Sequence, residues 1–430
     1  MNYKFEPNEA FAKNLDSEDI LSKFRNKFYI PEDTIYMDGN SLGLLSKDAE
    51  KNIARVTKEW KQNAIKGWMG GDKPWFYLPE EIGKKCARII GADENEVILT
   101  GSTTVNIHSL ISTFYNPSGR RTKILADELN FPSDIYALKG QILLKGFDPE
   151  KELILIKSEN GRTLDENVIA ASMTKDVALI FLPSVLYRSG QLLDMPYLIN
   201  EAHKRGILIG FDCCHSAGVI PHEFSKWGLD FAVFCSYKYM NGGPGSPAFL
   251  YINKKHFDKK PILSGWFGCD KNKQFNMDIQ FENQRSAGGW QISTQGLLSA
   301  APVESALETI LEAGMDNIRE KSKKITDYLV YLVNVYLSKK PYHFKIGTPL
   351  DPEKRSGHIA IEHEKEAVRI GKSLLNNRVI PDFRPPNIIR MAPVPLYNTF
   401  HEVWEVVQTL KKIMDTKEYN NYSRDRGTVA

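Results

Sequence analysis

Three groups of residues in this 430-residue chain have types and spacing suited to chemistry. Lys238 follows the apolar run Leu229 to Cys235 and precedes the glycine-rich turn Asn241-Gly-Gly-Pro-Gly245. That places it at a strand end, where buried backbone meets a cleft. Kept dry there, its amine is a nucleophile that can form an imine with an aldehyde; taken alone, it serves equally well as a surface lysine beside a loop. Asp212 closes the run Gly206 to Phe211, 26 residues before Lys238, which is one β-α-β step along a sheet. A carboxylate at a buried strand end is costly unless it meets a positive group, and a protonated ring nitrogen would be such a partner. His215, three residues on, is placed to pack against or hydrogen-bond the same ligand. Capping of a following helix by Asp212 and a structural role for His215 are the competing readings. The turn Gly101-Ser-Thr-Thr104 lies between a strand and a helix, where unpaired N–H groups aim at an anion. The hydroxyls of Ser102, Thr103 and Thr104 add donors, although plain N-capping uses the same residue types.

An anion cradle, a strand-end acid and a strand-end lysine, in that chain order, meet the needs of pyridoxal 5′-phosphate: an anchored phosphate, a protonated ring nitrogen and an aldehyde held by an amine. No P-loop motif and no strand-linked G-x-G-x-x-G occurs, so a nucleotide reading is weak. A metal site at Cys213, Cys214 and His215 is also weak, because adjacent cysteines do not readily place both sulfurs on one tetrahedral ion.

The elements that must position these residues are legible from periodicity. Short apolar runs at 96–100, 122–126, 152–156, 177–182, 206–211, 229–235 and 248–252 are separated by helix-length amphipathic stretches. Continuous apolar runs suit strands covered on both faces, and strand–helix alternation predicts an α/β domain with a mainly parallel sheet. Such sheets bind ligands beyond the carboxyl ends of their strands, where Asp212 and Lys238 fall. Upstream, Ile35 to Gly43 is a β-like run entering a polar turn that can bring Asn40 and Ser41 to a ligand, or serve only as a turn. The loop Gly67 to Trp75 carries Trp68, either core filler or a flat wall for an aromatic substrate. Glu304 to about Leu337 reads as one long helix or two. Downstream come β-like runs at 358–361 and 388–391 and helices at 365–377 and 399–414. The expected organisation is an N-terminal arm that also joins the small domain (1–48), a large domain (49–305), a small α/β C-terminal domain (306–416) and a disordered polar tail (417–430).

Bulk properties narrow the class. Hydrophobic residues make up 42% and charged residues 25%, an ordinary globular mix, and the net charge of +3 gives no reason to expect nucleic acid or an anionic membrane. No apolar run approaches a membrane span of about 18–20 residues, and the N-terminus lacks the apolar core of a secretory signal. Five cysteines without framework spacing favour free thiols and a cytoplasmic location.

Six segments in order carry a more specific resemblance: Met37 to Gly43, Phe131 to Asp134, Asp212-x-x-His-Ser-Ala-Gly218, Cys235 to Gly245, Ser264-Gly-Trp-Phe-Gly268 and Arg390-Met-Ala-Pro-Val-Pro-Leu-Tyr397. They resemble those of the kynureninases, a likeness that runs in order along nearly the whole chain, from about residue 20 to 415. The resemblance implies the aspartate-aminotransferase-like fold (type I among pyridoxal-phosphate enzymes), with a seven-stranded sheet, and a homodimer whose active sites are shared between subunits. It implies hydrolysis of L-kynurenine to anthranilate and L-alanine, within tryptophan degradation and pyridine-nucleotide metabolism, and of 3-hydroxy-L-kynurenine more weakly. By the same resemblance Lys238 holds the cofactor aldehyde. Thr103, Thr104, Tyr237 and Trp266 hold its phosphate, with Trp266 contributed by the other subunit. Phe131 stacks on its ring, Asp212 pairs with the ring nitrogen, and Ser133, Asp134 and His215 complete that wall. Thr294 reaches across the dimer, and Arg390 grips the substrate carboxylate, with Asn40, Ser41 and Trp68 on the substrate side. Lys238, Tyr237 and Asp212 are the implied catalytic residues, Tyr237 as a proton donor.

Two departures stand out. Cys213-Cys214 replaces the family's usual Leu-Ala. Trp68 stands where vertebrate kynureninases have histidine, which favours L-kynurenine over its 3-hydroxy form, since an indole offers a ring hydroxyl less hydrogen bonding. Two rival readings remain weaker. A cysteine desulfurase or selenocysteine lyase needs a nucleophilic cysteine on a loop in its C-terminal half, and no cysteine follows Cys269. A catalytically silent protein that binds pyridoxal phosphate has no need to keep Lys238, Asp212 and Arg390 together.

Overall fold

The computed structural model describes residues 4–426. Thirteen strands are present among them: β1 (Ile35–Tyr36), β2 (Val97–Leu99), β3 (Lys123–Asp127), β4 (Leu153–Ile156), β5 (Val177–Pro183), β6 (Leu208–Asp212), β7 (Phe231–Cys235), β8 (Ala248–Ile252), β9 (Lys345–Ile346), β10 (Ile359–Glu362), β11 (Val379–Ile380), β12 (Asp382–Arg384) and β13 (Ile388–Met391). Seven form one sheet in the order β2-β8-β7-β6-β5-β3-β4. The strands from β7 to β4 pair in parallel, and β8 runs antiparallel to both of its neighbours. All seven runs anticipated from the sequence are the seven strands of this sheet.

Successive strand residues point to opposite faces, and the two faces build separate cores. Leu125, Ile180, Ile209, Phe211, Phe234 and Phe249 belong to one. Their neighbours Ile124, Leu179, Phe181, Phe231, Val233 and Leu250 belong to the other. Burial on both sides explains why these strands lack the polar alternation of a half-exposed sheet.

A third core lies around the antiparallel sheet β12-β13-β10-β9 and the helices Met315–Tyr336, Ala367–Asn376 and Phe400–Thr416. Ala12 and Leu15 of the helix Glu9–Ser17, together with Met37, are buried in it, so the arm is part of this second body. The pairing of β1 with β11 fixes the same connection, Ile35 opposite Val379.

The stretch from 304 to 337, read as one helix or two, is two: the first is Leu297–Ala313, which runs across the expected boundary at 305/306, and the break comes at Gly314, whose φ of 81° suits glycine. The tail is not disordered over 417–426. Its polar groups find partners on the helix Ala367–Asn376: Glu418 accepts from Ser373 Oγ (2.9 Å), Arg369 Nε donates to Tyr422 O (2.9 Å) and Lys372 Nζ to Asp425 O (2.7 Å). The rest of that expectation, 427–430, lies outside the described residues. No helix among those described is long and apolar enough to cross a membrane.

Candidate active site

The carboxyl ends of β5, β6 and β7 open into a cavity of about 230 Å3. Its wall contains Thr103, Thr104, Phe131, Ser133, Asp134, Asp212, His215, Tyr237, Lys238, Asn40, Ser41 and Arg390, twelve of the fifteen residues expected at a site. Trp68, Trp266 and Thr294 are not in this wall.

The anion end is the start of the helix Thr103–Phe114. Its N-cap Ser102 makes no side-chain cap, so the first-turn N–H groups remain available to a ligand. Thr104 Oγ1 lies 2.8 Å from Ser133 Oγ, and Thr103 Oγ1 lies 3.7 Å from Cys214 Sγ. Phe131 caps the next helix, Pro132–Leu144, and projects half-exposed, edge-on to Tyr187.

The acid end is a carboxyl pair. Asp212 Oδ1 accepts from the Cys214 N–H at 2.7 Å. Asp134 is fully enclosed, and burial together with the adjacent Asp212 raises its carboxyl well above the usual range. Asp134 therefore keeps its proton and shares a hydrogen bond with Asp212, which relieves the repulsion of two like charges. The corresponding geometry at the other side has Lys238 Nζ 3.0 Å from His215 Nε2. Burial and the charges of Lys238 and Arg390 hold His215 well below the usual histidine range, so its ring is neutral. The other ring nitrogen, Asp134 Oδ2 and Asn130 Nδ2 are buried with no partner among the described residues. Orphaned polar atoms around one cavity are what a bound ligand would satisfy. A phosphate at Thr103 and Thr104, a ring nitrogen at Asp212 and an aldehyde at Lys238 fit this donor set.

Arg390 on β13 is 1% exposed. It donates from Nη1 to Tyr187 O (2.6 Å) and from Nη2 to Ser41 Oγ (3.0 Å), and it pairs with Asp382 (2.5 Å). With the Asn40 amide oxygen turned toward it, Arg390 Nε donates there at 2.9 Å. Thus the turn after β1 is bound to the cavity, as the polar sequence Asn40-Ser41 suggested. Asp38, behind it, has its carboxyl pushed up to about 6 by burial and by Asp382.

Trp68 instead packs against Trp75 (centroids 5.9 Å apart) and Phe267 (6.4 Å), and Trp266 packs against Phe267 and Phe275. These rings form a cluster separate from the chain's own cavity, and Thr294 lies exposed. Sequence reasoning also missed Asn130, Tyr187 and Arg384, all in the wall. Arg384 ends the three-residue strand β12 just before Pro385-Pro386, too short a run for periodicity to register.

Solved structures with this architecture include a cysteine desulfurase from Thermococcus onnurineus, with a TM-score of 0.78, 17% identity and coverage of 92% of this chain and 98% of that one. A cysteine desulfurase of Escherichia coli has a TM-score of 0.75 at 16% identity, covering 96% and 100%. The fold is that of the type I pyridoxal-phosphate enzymes. A family profile described as the kynureninase C-terminal domain matches residues 318–410. Kynureninases from Geobacillus thermodenitrificans and Bacillus cereus are 57% and 56% identical over 425 and 426 residues, 99% of each chain. One from Shouchella clausii is 54% identical over 98%. The chain belongs to the kynureninase family.

Proposed function

We propose that the chain hydrolyses L-kynurenine to anthranilate and L-alanine with pyridoxal 5′-phosphate as its cofactor. The observation that carries this reading is the convergence of Lys238, the Asp212–Asp134 pair, the Thr103–Thr104 helix start and Arg390 on one cavity, in a chain whose full-length relatives are kynureninases. When bound, pyridoxal phosphate supplies a protonated pyridine ring that accepts the electron pair left as the substrate Cα loses its proton.

The residues of the chain do the rest. Thr103 and Thr104 hold the phosphate with hydroxyls and helix N–H groups. Ser133 supports Thr104, Phe131 would cover the ring, and Asp212 would keep the ring nitrogen protonated. Lys238 would hold the aldehyde, and its amine, which neutral His215 orients through their 3.0 Å contact, would take the substrate Cα proton. Tyr237 is the proton donor at the substrate side. Its neighbour Cys235 and burial push the phenol far above the usual tyrosine range, so it enters the reaction protonated. Water adds to the γ-carbonyl, the Cβ–Cγ bond breaks, anthranilate leaves, and a proton delivered to the remaining carbon gives alanine. Asn40, Ser41 and Arg390 form the end that receives the amino-acid carboxylate.

We further propose a homodimer in which Trp266, Thr294 and the Trp68 loop of one copy complete the cavity of the other. Trp266, Phe275, Met277 and Ile279 are all largely exposed, Ile279 at 97%. Such a patch on one chain marks an interaction surface, and Trp266, one of the expected cross-subunit residues, lies on it. All five cysteines are free, which supports a reducing compartment such as the cytoplasm.

The test is to supply the holoenzyme with L-kynurenine and 3-hydroxy-L-kynurenine in parallel. Anthranilate fluorescence and stoichiometric alanine are expected, with L-kynurenine the better substrate. Absence of either product would refute the assignment.

A further inference from the structure

Cys214 and Cys235 lie side by side at the ends of neighbouring strands. β6 and β7 pair in parallel with Asp212 opposite Val233, and the ladder runs one residue on, the Cys213 N–H donating to Val233 O at 2.8 Å. Carrying the register two residues forward sets Cys214 beside Cys235. Neighbouring strands lie about 4.8 Å apart, within the Cα span of a disulfide. The side chains meet as the register requires. The Cys235 N–H donates to Cys214 Sγ at 3.2 Å, and the two thiols share a hydrogen bond. Cys213 is turned away, to Ser184 and Ser216. Cys86, on the helix Leu78–Ile89, and Cys269, in the loop after Trp266, belong to other parts of the chain.

The pair touches the site at three points. Cys214 lines the cavity, its N–H is bonded to Asp212 Oδ1 (2.7 Å), and its sulfur lies 3.7 Å from Thr103 Oγ1. Cys235 is buried and shares a hydrogen bond with the Tyr237 phenol. The strand-end acid, the anion end and the proton donor are therefore all tied to two sulfurs. Of the charges facing these sulfurs, Lys238 favours a thiolate and Asp212 opposes it. Burial raises both thiols, but at Cys235 the hydrogen bond from Cys214 and the charge of Lys238 outweigh it and hold the group below the ordinary thiol range. Ionisation of the pair begins there.

We propose that Cys214 and Cys235 are a modification site: peroxide joins them in a reversible disulfide that loosens the cofactor end of the cavity. Cys214 passes its proton to the Cys235 thiolate, and its sulfur attacks one oxygen of hydrogen peroxide. The O–O bond breaks, hydroxide leaves, and Cys214 becomes a sulfenic acid. The Cys235 sulfur then attacks that sulfur. The S–S bond forms, the S–O bond breaks, and the departing hydroxide takes the Cys235 proton to become water. The two sulfurs lose two electrons in all, the peroxide gains them, and a dithiol reductant reverses the step. An S–S bond of about 2.05 Å is far shorter than a contact between two thiols, so closing it shifts Cys214 against Thr103 and Cys235 against Tyr237. Cys214 touches both Thr103 and Asp212, so a group held between those two shields it. The cofactor-free enzyme is then the sensitive form and the holoenzyme the protected one, a consequence that rests on the reading of the cavity as a pyridoxal-phosphate site.

The experiment treats apoenzyme and holoenzyme with hydrogen peroxide, removes the peroxide, maps the thiols by mass spectrometry and titrates pyridoxal phosphate by its absorbance. The apoenzyme should lose two hydrogens in one linked pair of peptides that carry Cys214 and Cys235. It should bind the cofactor about tenfold or more weakly and recover with dithiothreitol. The holoenzyme should form the link at least about tenfold more slowly. Cys214→Ala, which restores the family's usual residue there, and Cys235→Ala should each form no link, and peroxide should leave their cofactor affinity where it was. Oxidation of either cysteine without a link, a link to Cys213 instead, or a linked protein with unchanged cofactor affinity would overturn the proposal. If untreated protein does not bind pyridoxal phosphate, the functional reading fails and takes the cofactor consequence with it, while the peptide map still decides the link.

Discussion

Asp38 is a residue near the cavity whose charge changes in an accessible pH range. Its carboxyl titrates at about 6 because burial, and then Asp382, disfavour the charged form. The folded state therefore holds this proton more tightly than the unfolded chain does. The associated stability is complete below the unfolded value of about 4 and is lost as pH rises through about 6, an effect of roughly 2–3 kcal/mol. Asp38→Asn removes the titration while keeping the shape. Denaturant midpoints measured from pH 4 to 7.5 should show the variant gaining on wild type as pH rises, and parallel profiles would contradict the assignment. At this scale most of the site could be read from sequence, because Lys238, Asp212 and Thr103 fall at strand ends and turns that periodicity marks. Arg384, Asn130 and Tyr187 could not. Their roles come from contacts between distant segments, such as Tyr187 O accepting from Arg390, and no local pattern encodes these.

Among the elements, the turn at Gly43 controls the lysine turn. Its N–H donates to Tyr237 O at 2.7 Å, and a Cβ there would lie 2.5 Å from Lys238 O and 2.7 Å from Asn241 Cα. The glycine is required for this close approach of two backbones. Gly43→Ala should push the turn that carries Lys238 and Tyr237 out of register and lower kcat on the order of 100-fold. Steady-state kinetics, with circular dichroism to verify folding, would check this; unchanged kcat would show that the turn tolerates the shift. The long parallel sheet was legible because its apolar runs are continuous. β1 falls in the β-like run that begins at Ile35, but the two-residue strands β9 and β11 and the three-residue β12 were not legible, since no apolar run marks them. The tail failed for a different reason: polar composition says nothing about polar partners, and the helix Ala367–Asn376 provides them.

For the whole molecule, the decisive question is how one chain's cavity is completed. Trp68, Trp266 and Thr294 carry the signature of a site in sequence, yet they lie away from the cavity of their own chain. A sequence motif does not say which copy it serves. A shared site predicts complementation. Lys238→Ala and Trp266→Ala homodimers should each be impaired. Unfolded together and refolded, they should recover about a quarter of the wild-type sites, because half the dimers are mixed and each of those has one intact site. No recovery beyond the sum of the parents would place Trp266 outside the partner's site.

The most direct test of the central claim, that Lys238 in this cavity performs the chemistry, is the rate of anthranilate release from L-kynurenine by Lys238→Ala holoenzyme. The chain should lose turnover by at least about 1,000-fold, since the amine that holds the aldehyde and moves the Cα proton is gone. Near-normal turnover in that variant would contradict the mechanism.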